Sequence, residues 1–164
     1  MEKTLSVINA LESDGVIGRY AIGGAVALLF YAEPAVTYGL DIFCFLPHQG
    51  TLIDLGPLYS SLKEKGYAPA GEHVEIEGVP IQFLPPTTEL VQEAIERAVS
   101  KNFAGVPTRV FQYEHLLAIM AQTGRPKDRA RIAQALESAE PEQTVLEDIL
   151  KRHGLFDTWA KMVS

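Results

Sequence analysis

One carboxylate stands inside an apolar run. In TYGLDIFCFL, residues 37–46, Asp41 follows Leu40 and precedes Ile42, Phe43, Cys44 and Phe45. Aromatic and β-branched residues of this kind favour a strand, and strand side chains alternate between faces. Gly39, Asp41, Phe43 and Phe45 are therefore expected on one face, with Tyr38, Leu40, Ile42 and Cys44 on the other. A buried carboxylate is costly unless it is paired, neutralised or bound to a metal. Two carboxylates two residues apart on a strand would point the same way and could hold magnesium ions that carry a triphosphate. Here the position two before Asp41 is Gly39 and the position two after it is Phe43. The plainer reading of a lone aspartate is a residue at the strand mouth that hydrogen-bonds a loop.

Two further features bear on an anion. RYAIGG ends a short strand in Gly23-Gly24, followed by the apolar helical stretch AVALLFYA. A strand–glycine–helix junction presents backbone N–H groups to a phosphate, and glycine lets it come close. The competing role for the pair is a tight, closely packed turn. Arg125, Lys127, Arg129 and Arg131 form the main basic cluster, at the start of a helix that Pro126 opens. Positive charge there opposes the helix dipole, which an acid or a bound anion would relieve; a solvated helix face is the alternative. Glu75 and Glu77 share one strand face and could supply carboxylate, or form the wet side of an edge strand. His48, His73, His115 and His153 show no i, i+4 metal spacing. His153 reads as a helix cap, His115 as a surface or interface residue, and no histidine is assigned a catalytic role. Cys44 reads as a small core residue. Neither a Ser/His/Asp order nor a P-loop is visible.

These residues need elements to position them. Helices are expected over 2–14, 25–31, 55–66 and 89–100, and strands over 20–23, 40–46 and 79–84. The last of these pairs with 73–77 through a turn at Glu77-Gly78, and a final strand lies in GVPTRVFQ. From Glu114 onward the pattern is helical, with Gly124, Pro126 and Pro141 as punctuation. The expectation is an α/β (α+β) chain: a mixed sheet flanked by helices over 1–112, then a C-terminal helical part over 113–164. Phe30, Ile42, Phe83 and Leu84 are expected to be largely buried.

Composition bounds the rest. The 164 residues are 47% hydrophobic and 21% charged, enough for one compact domain. A net charge of −7 disfavours broad, non-specific nucleic-acid binding. A single cysteine excludes an intramolecular disulfide and a cysteine metal cluster. No apolar run reaches membrane-spanning length, and the charged N-terminus does not read as a signal peptide. The expected location is cytoplasmic, with no membrane partner.

AIGGAVALLFYAEPAVTYGLDIFCFLP, residues 21–47, resembles the nucleotidyltransferase superfamily, most closely the bacterial branch related to AbiE-system toxins. In that family a strand ends in Gly-Gly or Gly-Ser and the next strand carries Thr-x-Asp-x-Asp. Gly23, Gly24, Thr37 and Asp41 match; Gly39 stands where the first aspartate belongs. The family's third carboxylate falls at Gln82, in GVPIQFLPP. EHLLAIMAQTGRPKDRARIAQAL resembles the family segment in which Lys-Asp opens a helix near the nucleotide, matched by Lys127 and Asp128. The resemblance implies a nucleotidyltransferase-like fold and in-line nucleotidyl transfer from an NTP to a protein, RNA or small-molecule acceptor. Asp41 would be the catalytic, metal-binding residue, holding Mg²⁺ or Mn²⁺ weakly, with Gln82, Glu75 or Glu77 completing the site. Gly23, Gly24, Thr37 and Lys127 would hold nucleotide phosphates. The departure at Gly39 implies weakened or lost catalysis. The chain would then be a nucleotide-binding or protein-interaction module, toxin–antitoxin-like.

Overall fold

The computed structural model describes residues 1–32, 39–49 and 52–164. The elements run α1 (Glu2–Ser13), β1 (Tyr20–Gly23), α2 (Gly24–Leu28), β2 (Leu40–Cys44), β3 (His48–Gln49), β4 (Leu52–Ile53), α3 (Gly56–Glu64), β5 (Pro69–Ala70), β6 (His73–Ile76) and β7 (Val79–Leu84). They continue with α4 (Glu89–Glu96), β8 (Val99–Phe103), β9 (Val106–Val110), α5 (Tyr113–Thr123), α6 (Pro126–Ser138), α7 (Gln143–Arg152) and α8 (Phe156–Val163). The result is a mixed sheet flanked by helices, the α/β class that the sequence leads one to expect.

Seven strands form one sheet in the order β5-β6-β7-β2-β1-β9-β8, and β3 and β4 pair separately. β2 is antiparallel to β1 and parallel to β7. Its side chains alternate as the period-two pattern demands: Leu40, Ile42 and Cys44 are buried, while Asp41 and Phe43 are half-exposed. Register then decides what stands beside Asp41. Gly23 lies opposite it on β1 and Gln82 lies opposite it on β7. One step along the β6–β7 ladder from the Val74–Ile81 pair, His73 comes level with Gln82.

Several boundaries differ from expectation. α2 stops at Leu28, so the helix read over 25–31 is five residues long. α4 stops at Glu96, and Val99 and Ser100, read as the end of that helix, belong to a strand that runs to Phe103. The reason is local. Ala104 (φ 50°) and Gly105 (φ 86°) both adopt the left-handed conformation of a two-residue hairpin loop, which pairs β8 with β9. Glu77 (φ 50°) and Gly78 (φ 81°) close the β6–β7 hairpin in the same way. Ile42 is fully buried, but Phe30, Phe83 and Leu84 are only half-buried. Phe30 and Phe83 pack on the core margin.

α5 is buried nearly all round, with Leu116, Leu117, Ala118, Met120 and Ala121 inside, and it packs against α2, α4, α6, α7 and α8. Its His115 is buried, not on the surface, because Glu93 of α4 takes its Nε2 at 2.8 Å. Arg152 of α7 grips the same carboxylate with two nitrogens at 2.6 and 3.1 Å, and His153 reaches it at 3.4 Å from the α7 C-cap. Arg152 and His115 together hold the Glu93 carboxyl down to about 2. Burial keeps His115 below its ordinary 6.5.

Two predictions follow from the packing. Ile42→Ala, which empties a site without exposure, is expected to cost about 2–5 kcal/mol in denaturant unfolding. Glu93→Gln is expected to cost about 1.5–3 kcal/mol at neutral pH, because it removes charge-assisted bonds to three side chains. The wild-type advantage has a defined pH dependence. A carboxyl lowered from 4.5 to about 2 stabilises fully above 4.5 and loses that contribution as the pH falls towards 2. The buried His115, held below 6.5 by burial against the pull of Glu93, loses stability as the pH falls from 6.5 in both proteins and so does not itself close the gap. Melting curves from pH 7 to pH 3 should therefore show the gap between wild type and Glu93→Gln narrowing below pH 4.5.

Candidate functional site

A cleft of about 630 Å³ opens where the Asp41 row of the sheet faces α5 and α6. The sheet contributes Gly39, Asp41, Phe43, His73, Gln82 and Leu84. Opposite them stand Leu116, Ile119 and Met120 of α5 and Arg125, Lys127 and Arg131 around α6, with Thr88 and Val91 at the start of α4.

Asp41 is the inner carboxylate. Burial pushes its carboxyl above the ordinary 3.8, and Arg131, Lys127, Arg125 and His73 oppose that rise in decreasing order. It makes neither a hydrogen bond nor an ion pair among the described residues. Its position depends on Gly24, which has φ +62° and whose Cβ, were one present, would collide with Asp41 Oδ2. Gly24 lines the cleft, but Gly23 does not: it is buried beneath Phe43 and Phe111, whose rings lie 4.9 Å apart. A Cβ on Gly23 would stand 2.5 Å from Phe43 and 2.8 Å from Phe111. The glycine pair thus makes room for two rings and a carboxylate. The five-residue α2 behind it is too short to build much of a dipole.

Gly39 also lines the cleft on Asp41's side, as strand alternation requires. Yet a Cβ there would stand 2.7 Å from the Pro80 carbonyl oxygen of β7. The position has no room for a second aspartate while β7 stays where it is.

The basic cluster divides. Arg125 caps α6 through Asp128, which is 2% exposed and takes the Arg125 backbone N–H at 3.1 Å and its Nε at 2.7 Å. Lys127 and Arg131, four apart and so on one helix face, line the cleft, and neither forms an ion pair among the described residues. Arg129 is exposed and does not line it. Of the remaining sequence candidates, Gln82 stands beside Asp41 in the ladder. Glu75 lies outside the cleft lining. Glu77 sits in the hairpin loop and accepts the Tyr67 hydroxyl at 2.6 Å. Thr37 lies outside the described residues. Sequence reasoning missed His73 as a cleft residue; the signal was the Glu77-Gly78 hairpin, which fixes the register that brings it level with Gln82.

A divalent cation does not fit these residues. Magnesium prefers six oxygen ligands with carboxylates among them. Around Asp41 the described residues offer a neutral amide at Gln82, a barred position at Gly39, and the positive side chains of Lys127 and Arg131, with Glu72 exposed at the cleft rim. The described residues contain no group of three His, Cys, Asp or Glu side chains placed to hold a metal.

Asp41 carries a testable consequence. Its ionisation opposes folding, because the folded chain holds the proton more tightly than the unfolded one. The penalty is absent below 3.8 and complete above the raised value. Asp41→Asn is therefore expected to melt higher than wild type at pH 7–8, with the difference shrinking in acid. A variant that melts lower at pH 7–8 would show that the cations stabilise the carboxylate more than burial harms it.

No protein-family model matches the sequence, and no curated protein matches it significantly. Its fold does have counterparts among solved structures. An antigenic nucleotidyltransferase-like protein from Paracoccidioides brasiliensis superposes with a TM-score of 0.54 at 16% identity, over 97% of this chain and 90% of that one. ANT(2")-Ia, solved in complex with adenylyl-2"-tobramycin, gives 0.54 at 16% identity, over 92% of this chain and 96% of that one. The chain has a nucleotidyltransferase-like fold.

Proposed function

We propose that this chain is a nucleotide-binding module on a nucleotidyltransferase-like fold, one that holds an NTP by its phosphates but transfers the nucleotidyl group poorly or not at all. The observation that carries the reading is the makeup of the cleft: an inner carboxylate, Asp41, facing Lys127 and Arg131, beside Gln82 and a Gly39 with no room for a side chain, while Asp128 is tied to Arg125 and Glu72 is exposed at the rim. In-line transfer with two metal ions needs carboxylates that bridge them, and the described residues place none beside Asp41 to do so. What the cleft keeps is positive charge for phosphates and an apolar wall of Val91, Leu116, Ile119 and Met120 against which a base could lie.

The fold neighbour complexed with adenylyl-2"-tobramycin raises an acceptor of the aminoglycoside kind. Tobramycin is a polycation, and the inner carboxylate that would meet it is already opposed by Lys127 and Arg131. The charge of the cleft argues against such an acceptor here. The likeness to the AbiE-toxin branch and a toxin–antitoxin-like partner belong to the same proposal, since a module without transfer activity would act through what it binds.

Titration calorimetry with each of the four NTPs, alongside an assay for transfer of label from α-labelled NTP, tests the reading. Saturable binding of at least one NTP is expected, with no turnover above background in Mg²⁺ or Mn²⁺. Robust, saturable transfer that disappears in Asp41→Ala would replace this reading by a metal-dependent nucleotidyltransferase. Absence of binding to all four would remove the nucleotide altogether.

A further inference from the structure

The way the cleft would hold its ligand rests on the nucleotide-binding reading and goes a step past it. We propose that the cleft takes the metal-free polyphosphate anion, gripped by Lys127 and Arg131 where a divalent ion would otherwise stand, with Asp41 repelling the anion and setting a limit on its affinity.

Charge placement supports this. Arg125 and Asp128 neutralise each other at the start of α6, with two contacts from the guanidinium at 2.7 and 3.2 Å. Glu72 and His73 are exposed at the cleft rim. What remains inside is Asp41 against Lys127 and Arg131, without an ion pair at either cation among the described residues. An exposed lysine can swing onto a phosphate. A half-buried arginine offers a fork that matches two phosphate oxygens. Magnesium bound to a nucleotide cancels two of its negative charges and brings a cation towards these same side chains. With one carboxylate and a neutral amide to receive it, the ion loses more at the cations than it gains at Asp41. The dependence on metal expected of such a cleft is therefore inverted: free nucleotide should bind better than its magnesium complex.

Asp41 separates this from metal-held binding with opposite signs. If a metal bridged Asp41 to the phosphates, Asp41→Asn would abolish binding. If the side-chain cations hold the phosphates directly, the same change removes a like charge from beside them and binding tightens.

The experiment is titration calorimetry of the full chain with ATP and, separately, with inorganic triphosphate, each in EDTA and in excess Mg²⁺. It is run on wild type, Asp41→Asn, Lys127→Gln and Arg131→Gln, and melting curves confirm that each variant folds. Expected are tighter binding in EDTA than in Mg²⁺, a gain of several-fold in Asp41→Asn, and a loss of about tenfold or more in each cation variant. Inorganic triphosphate should follow the same pattern, because the phosphates carry the attraction. ATP binding that requires Mg²⁺ and vanishes in Asp41→Asn would overturn the inference while leaving nucleotide binding in place. ATP binding without any triphosphate binding would also overturn it, by locating recognition in the nucleoside. No binding of ATP or of any other NTP, in either condition, would remove the nucleotide-binding reading itself.

Discussion

The cleft depends on one close approach. Asp41 lies where a Cβ on Gly24 would have to be, and Gly24 adopts a left-handed backbone that other residues tolerate poorly. Gly23 beside it is covered by Phe43 and Phe111, and Gly39 abuts the Pro80 carbonyl. Three glycines thus surround one carboxylate, each for a different steric reason. Remove any of these spaces and either a ring, a strand or the carboxylate itself has to move. The electrostatics follow from that placement: a carboxylate held half-buried at the cleft floor rises above its ordinary value, and the α6 cations resist the rise without cancelling it.

Much of this was legible in the sequence because it depends on period and spacing. Alternation placed Gly39, Asp41 and Phe43 on one face. The Glu77-Gly78 turn gave the β6–β7 hairpin, and Pro126 gave the start of α6. The family likeness of residues 21–47 pointed to the fold that the structural neighbours bear out. What failed to show was set by contacts distant in sequence. Gly23 gives no local sign of the phenyl ring that packs over it, which comes from Phe111, 88 residues on. The β8–β9 hairpin was missed because Ala104 is an unusual residue for a left-handed turn position. The burial of His115, read as a surface or interface residue, was not evident because its partner, Glu93, lies on another helix and gives no local sign.

Glu93 shows how the terminal helices are fastened to the rest. A single carboxylate on α4 is shared by a buried histidine from α5 and an arginine and a histidine from α7. The pairing is half-exposed on the Arg152 side, at 39%, and closed on the His115 side, at 2%. His115 Nδ1 is buried without a partner among the described residues, so the ring is best neutral, with its one proton on Nε2 directed at Glu93. That fixes the rotation of α5 relative to α4. The same α5 supplies Leu116, Ile119 and Met120 to the cleft wall.

The crowding at Gly39 has a consequence for descent. A carboxylate at this position would require β7 to stand further from β2 than it does at Pro80. A single base change introducing aspartate would bring its Cβ to 2.7 Å from a carbonyl oxygen, and selection would see a damaged fold before it saw a new carboxylate. Accommodating it would need β2 and β7 to change together. The contact between residues 39 and 80 thus couples the two strands, and a side chain at position 39 is accessible only to a chain in which both have moved.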